Sequence, residues 1–363
     1  MNSSWTIGRI SGIVISIHWT FLILIAWIVF TNLQSGVDAI SIVWSVAFVL
    51  SIFGCVILHE LGHALTARRF NIGTKSITLY PIGGVASLES IPKKPKEELW
   101  VALAGPAVNV VIAIALSPLV NRELITQPET LQTIGPTNFL FAFVTVNLWL
   151  ALFNLLPAFP MDGGRVLRAL LAFKLSRYKA TRIAAAIGQI MAILFVFAGF
   201  YVNPFLIFIG LFIFLGAQAE ARQSQTEELA GDNTIGSITI RDFPTLPADG
   251  ILQDAIDVIL NSQNKNFIVQ QNGNIIGTLS HRGIIQALGQ RGTGVKVSDV
   301  MDRDFLTLQQ DKRIDEALME LQQKKKTMAM VVSNNQFVGM IDTDNLVEFI
   351  MLQAAKKRFA DQH

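Results

Sequence analysis

The chain has 363 residues, of which 51% are hydrophobic and 15% charged, and its formal net charge at pH 7 is +2. This composition is typical of an integral membrane protein with a soluble part rather than of an ordinary globular protein. The small net charge gives no electrostatic basis for binding nucleic acid, and no nucleic-acid motif occurs, so nucleic acid is excluded as a partner. A single cysteine excludes an intrachain disulfide framework.

Six apolar stretches approach the length of a bilayer span and predict a polytopic α-helical membrane domain with about six transmembrane helices. They are residues 11–32, 40–67, 99–120, 138–157, 180–202 and 204–219. Lysine and arginine concentrate in the loops after the second and fourth stretches. By the positive-inside rule, we expect a multi-pass protein of the cell membrane with both termini in the cytoplasm.

The second stretch contains the most informative motif, His59-Glu60-Leu61-Gly62-His63. On a helix, His59 and His63 lie on one face, where both imidazoles can bind one Zn²⁺ with Glu60 near the bound water. Ionisable groups in a membrane span are costly and indicate function, here metal-assisted hydrolysis. Cys55 lies one turn earlier and is either a further ligand or, as we favour, a small buried residue.

Residues 76–88, rich in β-forming residues around Gly83 and Gly84, predict a short membrane-associated β-hairpin. If the hydrolysed bond is a peptide bond within the bilayer, a helical substrate hides it in its own hydrogen bonds, and the site must bind unwound backbone. The hairpin could reach the active site and pair with extended substrate, with Gly83 and Gly84 as substrate-binding residues. A hairpin that serves only the fold is the open alternative.

The segment after the fourth stretch offers a third metal ligand, Asp162. The predicted topology brings Asp162 to the depth of His59 and His63. Pro157 and Pro160 prevent regular helix before it, and the two glycines after Asp162 allow tight backbone geometry. With two histidines and one carboxylate, a catalytic zinc would keep one position open for water.

Together, the motif at His59 and the Asn154-to-Asp162 segment resemble the site-2 protease family of intramembrane zinc metalloproteases. The resemblance covers about residues 1–220 and extends to Gly83-Gly84 and to the segment from Ala104 to Asn109. It implies one zinc ion per chain, a transmembrane protein as substrate, and a set of roles. By resemblance, the metal ligands are His59, His63 and Asp162, the catalytic residues are Glu60 as general base and Asn154, and Asn109 joins Gly83 and Gly84 in binding substrate.

The tail repeats itself at a constant offset of 62 residues: Arg241-Asp242-Phe243 recurs as Arg303-Asp304-Phe305, and Gly277 as Gly339. In each repeat we predict a helix, two strands and a second helix. The predicted helices are 252–262 and 314–324, and the strands are 267–270, 275–279, 329–332 and 337–341.

This repeat resembles a tandem pair of cystathionine-β-synthase-type (CBS) domains, which implies a cytosolic α/β module, an adenosine nucleotide as ligand and a homodimer through the pair. Two departures from the family pattern argue against nucleotide binding. In repeat two, Asp342 stands where the family has threonine or serine, and the family's ribose-binding aspartate aligns with Gly283 and Asn345. The predicted domains are 1–221 for the membrane domain, 222–236 for a linker, 237–290 for CBS domain 1 and 291–363 for CBS domain 2 with a C-terminal helix.

The function expected from these features is zinc-dependent cleavage of a peptide bond in or near a transmembrane helix, with the CBS pair regulating activity or substrate access. The partners are then a membrane protein and the lipid bilayer. A CBS-regulated transporter or channel that uses the buried histidines and acids as an ion path is the alternative. A catalytically inactive scaffold is a third reading, which the intact set of catalytic groups argues against.

Overall fold

The structure is a computed structural model that describes residues 4–81, 83–88, 92, 94–121, 124, 134–262, 264–334 and 336–362. The chain divides into two compact units, Met1–Ser224 and Gln225–His363. Each unit has its own core and is described by itself.

The first unit is mainly helical. Its helices are α1 (Thr20–Gln34), α2 (Ala39–Arg68), α3 (Pro95–Leu116), α4 (Phe139–Asn154), α5 (Asp162–Ala172), α6 (Arg177–Tyr201) and α7 (Phe205–Ala230). By length and composition, α2, α3 with its extension to Leu119, α6 and α7 can cross a membrane. Helices α1 and α4 are apolar but have only 15 and 16 residues, so four candidate spans are described and the count of six stays a prediction.

The start of the first apolar stretch is not helical, which corrects its assignment as a continuous span. Strands β1 (Ser4–Ile10) and β2 (Ile13–His18) precede α1 and pair antiparallel. Ser11 and Gly12, with φ of 52° and 84°, make the turn between them. Positive φ at both central residues suits a two-residue hairpin, and the β-branched residues of β2 favour a strand.

The predicted hairpin segment forms β3 (Thr74–Tyr80) and β4 (Gly83–Leu88), which pair antiparallel. Because β2 pairs parallel with β3, the four strands form one sheet in the order β1-β2-β3-β4, with β4 at an edge. Ile77 is fully buried and packs with Leu61 and Ala64 of α2. The sheet therefore covers the turn of α2 that carries the histidine motif; its association with the membrane stays a prediction.

A buried ion cluster connects α3, α5, α6 and α7. Arg168 of α5 is 2% exposed; its Nε donates to Glu98 of α3 at 2.8 Å, and its Nη1 donates to Glu220 of α7. Arg177 of α6 donates to the second oxygen of Glu98 at 3.2 Å. Removing one partner of such a cluster leaves a buried charge unpaired, so the cluster constrains the relative positions of these helices.

The second unit contains two similar three-stranded sheets with their helices. The first half has β5 (Thr245–Pro247), α8 (Leu252–Asn261), β6 (Phe267–Gln271), β7 (Asn274–Leu279) and α9 (His281–Arg291). The second half has β8 (Leu306–Gln309), α10 (Ile314–Gln323), β9 (Met328–Ser333), β10 (Gln336–Asp342) and α11 (Thr343–Gln362). In each half the middle strand pairs parallel with the first strand and antiparallel with the last. The predicted order of helix, two strands and helix is present in both repeats.

The segment predicted as a linker, 222–236, is partly helical. Helix α7 continues to Ala230, and the boundary between the two units falls at Ser224. The residues concerned are mostly good helix formers despite their polarity. Ala230 is fully buried in a core with Ile235 and Leu321, so packing also holds the end of this helix in place.

Candidate metal centre

Three side chains that suit a metal ion meet in the first unit. His59 and His63 lie one turn apart on α2, and Asp162 is the first residue of α5. Asp162 Oδ2 lies 3.2 Å from Nε2 of His59 and 3.1 Å from Nε2 of His63, and the two Nε2 atoms are 3.1 Å apart. All three residues are buried, at 6–7% exposure. Among the described residues, these three form the group that can hold a metal ion.

The surroundings of His63 show that this triangle needs a cation. Nδ1 of His63 lies 2.7 Å from the carbonyl oxygen of Val101. A carbonyl can only accept, so Nδ1 carries the proton and the neutral ring presents an unprotonated Nε2. That nitrogen faces the second imidazole and a carboxylate oxygen. Such a convergence of acceptors is unfavourable unless a metal ion or a proton lies between them.

The spacing and chemistry of the donors fit zinc. Zinc bonds of about 2.0–2.1 Å at tetrahedral angles place neighbouring ligand atoms about 3.3 Å apart. The separations of 3.1–3.2 Å are close to that value. Two imidazole nitrogens and one carboxylate oxygen are a donor set typical of catalytic zinc, which retains an open position.

Small residues let neighbouring backbones reach the centre. A β-carbon at Gly105 of α3 would lie 2.6 Å from Nε2 of His59 and closer still to Nε2 of His63. A β-carbon at Gly62 of α2 would lie 2.8 Å from the carbonyl oxygen of Ala104. Helices α2 and α3 therefore touch through glycine on both sides, a mode of packing that small residues allow between membrane helices.

Glu60 lies beside the edge strand β4. A β-carbon at Gly84 would lie 2.8 Å from Cγ of Glu60 and 3.2 Å from its Oε1. Only glycine allows the strand to run this close to the carboxylate. Gly83, the preceding residue, has a φ of 138°, a conformation that residues with a side chain rarely adopt. Of the two predicted substrate-binding glycines, Gly84 thus lies against the predicted general base, and Gly83 is its neighbour in the chain.

The turn between α4 and α5 directs Asp162 toward the histidines. Helix α4 ends at Asn154 and α5 begins at Asp162. A β-carbon at Gly163 would collide with the carbonyl oxygen of Leu156, and one at Gly164 would lie 2.6 Å from the backbone nitrogen of Phe159. The glycines therefore permit the tight turn, and the prolines keep helix out of it.

The structure gives the other candidate residues these positions. Asn154 is half-buried, and its Nδ2 donates to the carbonyl of Leu150 within α4 at 2.9 Å. Asn109 is fully buried, and its Oδ1 lies 2.6 Å from Nδ1 of His59. Cys55 is 3% exposed and is not part of the metal-binding group. The substrate-binding role assigned to Asn109 stays a prediction that its burial does not favour.

Sequence reasoning missed three contributors to the centre: Gly105 as a close contact, the carbonyl of Val101, and Asn147, whose Oδ1 accepts a hydrogen bond from Nδ2 of Asn109 at 3.0 Å. Asn147 could have been noticed, because a polar residue inside an apolar stretch is costly unless it has a partner. The carbonyl of Val101 carries no signal in the sequence, since every residue has such a group.

In the second unit, side chains aligned with nucleotide-binding positions make structural contacts. Ser280 accepts a hydrogen bond from the backbone nitrogen of Gly283 and caps α9. Asp342 accepts one from the backbone nitrogen of Asn345 at 2.8 Å, and its other oxygen accepts from Nδ2 of Asn266 at 2.8 Å. These contacts satisfy both side chains without a ligand.

Comparison with known proteins identifies a family for each part of the chain. The model of peptidase family M50 matches residues 47–123 and 121–198, and the CBS domain model matches residues 235–290 and 297–352. A zinc metalloprotease of Methanocaldococcus jannaschii is 32% identical over 99% of this chain and 100% of its own. A Mycobacterium tuberculosis protein named as a zinc metalloprotease, Rip3, is 30% identical over 83% of this chain and 80% of its own. The solved site-2 protease from Methanocaldococcus jannaschii is 35% identical, with 60% of this chain and 95% of that chain covered and a TM-score of 0.44.

Helices long and apolar enough to cross a membrane enclose a candidate His-His-Asp metal centre, and the relatives with this sequence pattern are zinc metalloproteases, which indicates a metallopeptidase. The chain belongs to peptidase family M50, the site-2 protease family, and is a metalloendopeptidase with a tandem CBS pair. Both resemblances drawn from the sequence are confirmed, and the assignment to a peptidase family favours hydrolysis over the transporter alternative. The relatives named as zinc metalloproteases, together with the donor set, indicate zinc as the metal.

Because a β-carbon at position 105 would occupy the space of the ligand nitrogens, we expect Gly105→Ala to displace His63 and His59. The variant should lose at least about 90% of its bound zinc and of its peptidase activity, in line with tenfold or larger losses when ligand support is removed. Metal analysis of the purified protein measures the first and substrate cleavage the second. Gly54→Ala on α2, where a β-carbon meets nothing within 4 Å, is the matched control and should retain both. Full zinc content in Gly105→Ala would contradict the close contact.

Proposed function

We propose that this protein is a zinc-dependent intramembrane endopeptidase that hydrolyses a peptide bond in or near a transmembrane helix of a membrane protein. The observation that carries the proposal is the placement of His59, Glu60 and His63 on α2, one of the candidate spans. Buried ionisable groups at such a position serve function, because they are otherwise costly. Membership in an intramembrane protease family supports a membrane protein as the substrate.

The proposed roles follow from the geometry. His59, His63 and Asp162 would hold the zinc ion, which lowers the pKa of a water to about 7 and polarises a carbonyl. Glu60 directly follows the first ligand and lies against β4, so it is near both the metal centre and any chain lying along that strand. In the proposed reaction Glu60 accepts the proton of the attacking water and passes it to the leaving amine. Asn154 would assist by binding substrate or the oxyanion.

We expect Glu60→Gln to retain zinc and its cleavage rate to fall by about 100-fold or more. The glutamine amide cannot take the proton of the water, and general-base catalysis typically contributes about 10²–10⁴-fold to the rate. The measurement exposes the wild type and Glu60→Gln, each checked for bound zinc, to a library of single-span helices in liposomes, with mass spectrometry of the products. Glu348→Gln, at an exposed position of α11, is the control and should cut like the wild type. Equal cleavage by Glu60→Gln would rule out the assigned role.

Strand β4 is the proposed docking place for the unwound substrate. It lies at the edge of its sheet, so one side of its backbone has no neighbouring strand within that sheet. Its Gly84 touches Glu60, which would bring an added strand to the catalytic carboxylate. Main-chain pairing with a sheet edge holds an extended peptide with little dependence on its sequence. The alternative, a hairpin that only supports the fold, predicts no substrate contact here.

A cross-linking experiment distinguishes these two roles. The chain has one cysteine, the buried Cys55, so a Cys55→Ala, Glu60→Gln background allows single cysteines to be placed without cutting the substrate. We expect Val85→Cys on β4 to form a disulfide with cysteines near the scissile region of a bound single-span substrate. Thr6→Cys on β1, at the opposite edge of the same sheet, is the matched control and should remain unlinked. Equal linking at both edges would contradict the docking role of β4.

We further propose that the CBS pair regulates the protease. Glu220 of α7 pairs with Arg168 of α5, the helix that begins with the metal ligand Asp162. Helix α7 continues past Ser224 to Ala230, so Glu220 lies a few residues before the start of the second unit in the chain. The distribution of lysine and arginine supports a cytoplasmic position for both termini and the CBS pair.

Homodimerisation is the accompanying proposal for the second unit. Helix α11 exposes several large apolar side chains, among them Met351 at 60% and Phe359 at 65%. Exposed apolar faces of this kind favour association. Because Ser280 and Asp342 serve as helix caps and no carboxylate stands at Gly283 or Asn345, the proposed regulation does not depend on recognising the ribose of an adenosine nucleotide.

Comparison of the full chain with a chain that ends at Ala230 tests the regulatory proposal. We expect the shortened protein to bind zinc and to cleave the same substrate with a kcat/KM changed by about threefold or more, a coupling of the usual size between two sites. Light scattering should give a dimer for the full chain and a monomer for the shortened one. ATP and AMP should leave both rates unchanged. Identical kcat/KM values for the two proteins would exclude a regulatory tail.

A further inference from the structure

The two histidine ligands are oriented in different ways. The ring of His63 is held directly by the backbone carbonyl of Val101. The ring of His59 is held by a side chain, since its Nδ1 lies 2.6 Å from Oδ1 of Asn109. Asn109 in turn reaches a second amide: its Nδ2 donates to Oδ1 of Asn147 at 3.0 Å. The orientation of the His59 ring thus depends on two asparagines, Asn109 of α3 and Asn147 of α4, rather than on a backbone carbonyl.

The carbonyl of Phe143 begins a series of hydrogen bonds that runs through Asn147 and Asn109 to His59. This carbonyl fixes which group donates and which accepts in each of them. Nδ2 of Asn147 donates at 2.9 Å to the carbonyl oxygen of Phe143, one turn earlier on α4, and a carbonyl can only accept. The amide of Asn147 is therefore fixed with Oδ1 toward Asn109. That oxygen requires a donor, so Asn109 presents Nδ2 to it and Oδ1 to His59.

The acceptor facing His59 then decides the state of the ring. Nδ1 must carry the proton, and Nε2 is left with its lone pair directed at Asp162 and His63. This is the tautomer that binds a metal through Nε2. If the Asn109 amide were reversed, its Nδ2 would donate to Nδ1 of His59. The proton of the ring would then lie on Nε2, the nitrogen that should bind the metal.

We infer that Asn109 and Asn147 form an amide relay that transmits the fixed polarity of a backbone carbonyl of α4 to the His59 imidazole and so positions this ligand for zinc. The inference rests on the proposed metal centre but not on the proposed substrate or on cleavage. Asn109 and Asn147 are positioning residues: Asn109 contacts the ring of a ligand, and Asn147 reaches that ring only through Asn109.

Burial makes the relay directional. Asn109 and Asn147 are both 0% exposed. Without water to compensate, turning either amide by half a rotation would place two acceptors or two donors against each other, at the free energy of unsatisfied buried polar groups. The apolar surroundings therefore keep one of the two amide orientations, and the ring of His59 follows it.

The test measures zinc affinity, which is independent of any substrate. The full-length protein in detergent, as wild type, Asn109→Leu, Asn147→Leu and the double variant, is titrated with zinc against a chelator of known affinity. We expect Asn109→Leu to raise the zinc Kd by about 10- to 100-fold and Asn147→Leu by a smaller factor of at least about threefold. Since Asn147 acts through Asn109, the double variant should match Asn109→Leu rather than multiply the two effects.

A second readout and a control separate positioning from general loosening. With cobalt in place of zinc, the visible absorption of Asn147→Leu should change in position or intensity, because the orientation of one ligand is altered. Thr181→Val on α6 removes a comparable hydrogen bond to the preceding turn, from Oγ1 of the fully buried Thr181 to the carbonyl of Arg177, on a helix that supplies no metal ligand. It should keep both the wild-type Kd and the wild-type spectrum.

Two outcomes would overturn the relay. One is a folded Asn147→Leu, or Asn147→Ala if the leucine variant does not fold, with wild-type zinc affinity and cobalt spectrum. The other is a double variant whose Kd is the product of the two single effects, which would mean that the asparagines act separately. Failure of the proposed function leaves a different trace: wild-type zinc affinity with no cleavage of any single-span helix.

Discussion

The convergence of two imidazole nitrogens and one carboxylate oxygen to 3.1–3.2 Å is the constraint on which the rest of the first unit depends. Three acceptors at this distance among apolar helices are unfavourable without a cation, and with one they form a strong site. The polar groups of the surrounding helices serve this convergence. The carbonyl of Val101 orients one ring, the amides of Asn109 and Asn147 orient the other, and the tight turn before α5 directs Asp162.

Close approach without side chains is the second requirement of this architecture. Gly105 lets α3 lie directly on the metal ligands, and Gly84 lets β4 lie on Glu60. Between these surfaces the catalytic carboxylate is placed beside a sheet edge, where an unwound peptide could pair by main-chain hydrogen bonds. A single arrangement of α2, α3 and β4 thus joins the chemistry to the proposed capture of substrate, with glycine at both points of contact.

An ion cluster links α5, which begins with Asp162, to α3, α6 and α7. Its members are Glu98, Arg168, Arg177 and Glu220. The guanidinium carbon of Arg168 lies over the ring of Phe159, 5.0 Å from the ring centre. Phe159 belongs to the turn that leads to Asp162. A buried arginine with two acidic partners resists separation of α3, α5 and α7, because any opening leaves charge unpaired. The cluster therefore stabilises the position of α5, the helix that begins with Asp162.

Local patterns in the sequence are enough to indicate the chemistry and the order of the parts. The His59-Glu60-Leu61-Gly62-His63 motif, Asp162 after a segment broken by prolines, and the repeated tail indicated a metallopeptidase with a CBS pair, because these patterns are local in the chain and depend on residue type. Tertiary structure decided the rest. The span at 11–32 begins as β2 because strand pairing with β3 takes precedence over hydropathy, and α7 extends into the predicted linker because Ala230 packs into a core. The groups that orient His59 and His63 come from α3, 50 and 38 residues away in the chain, and only folding can bring them into contact.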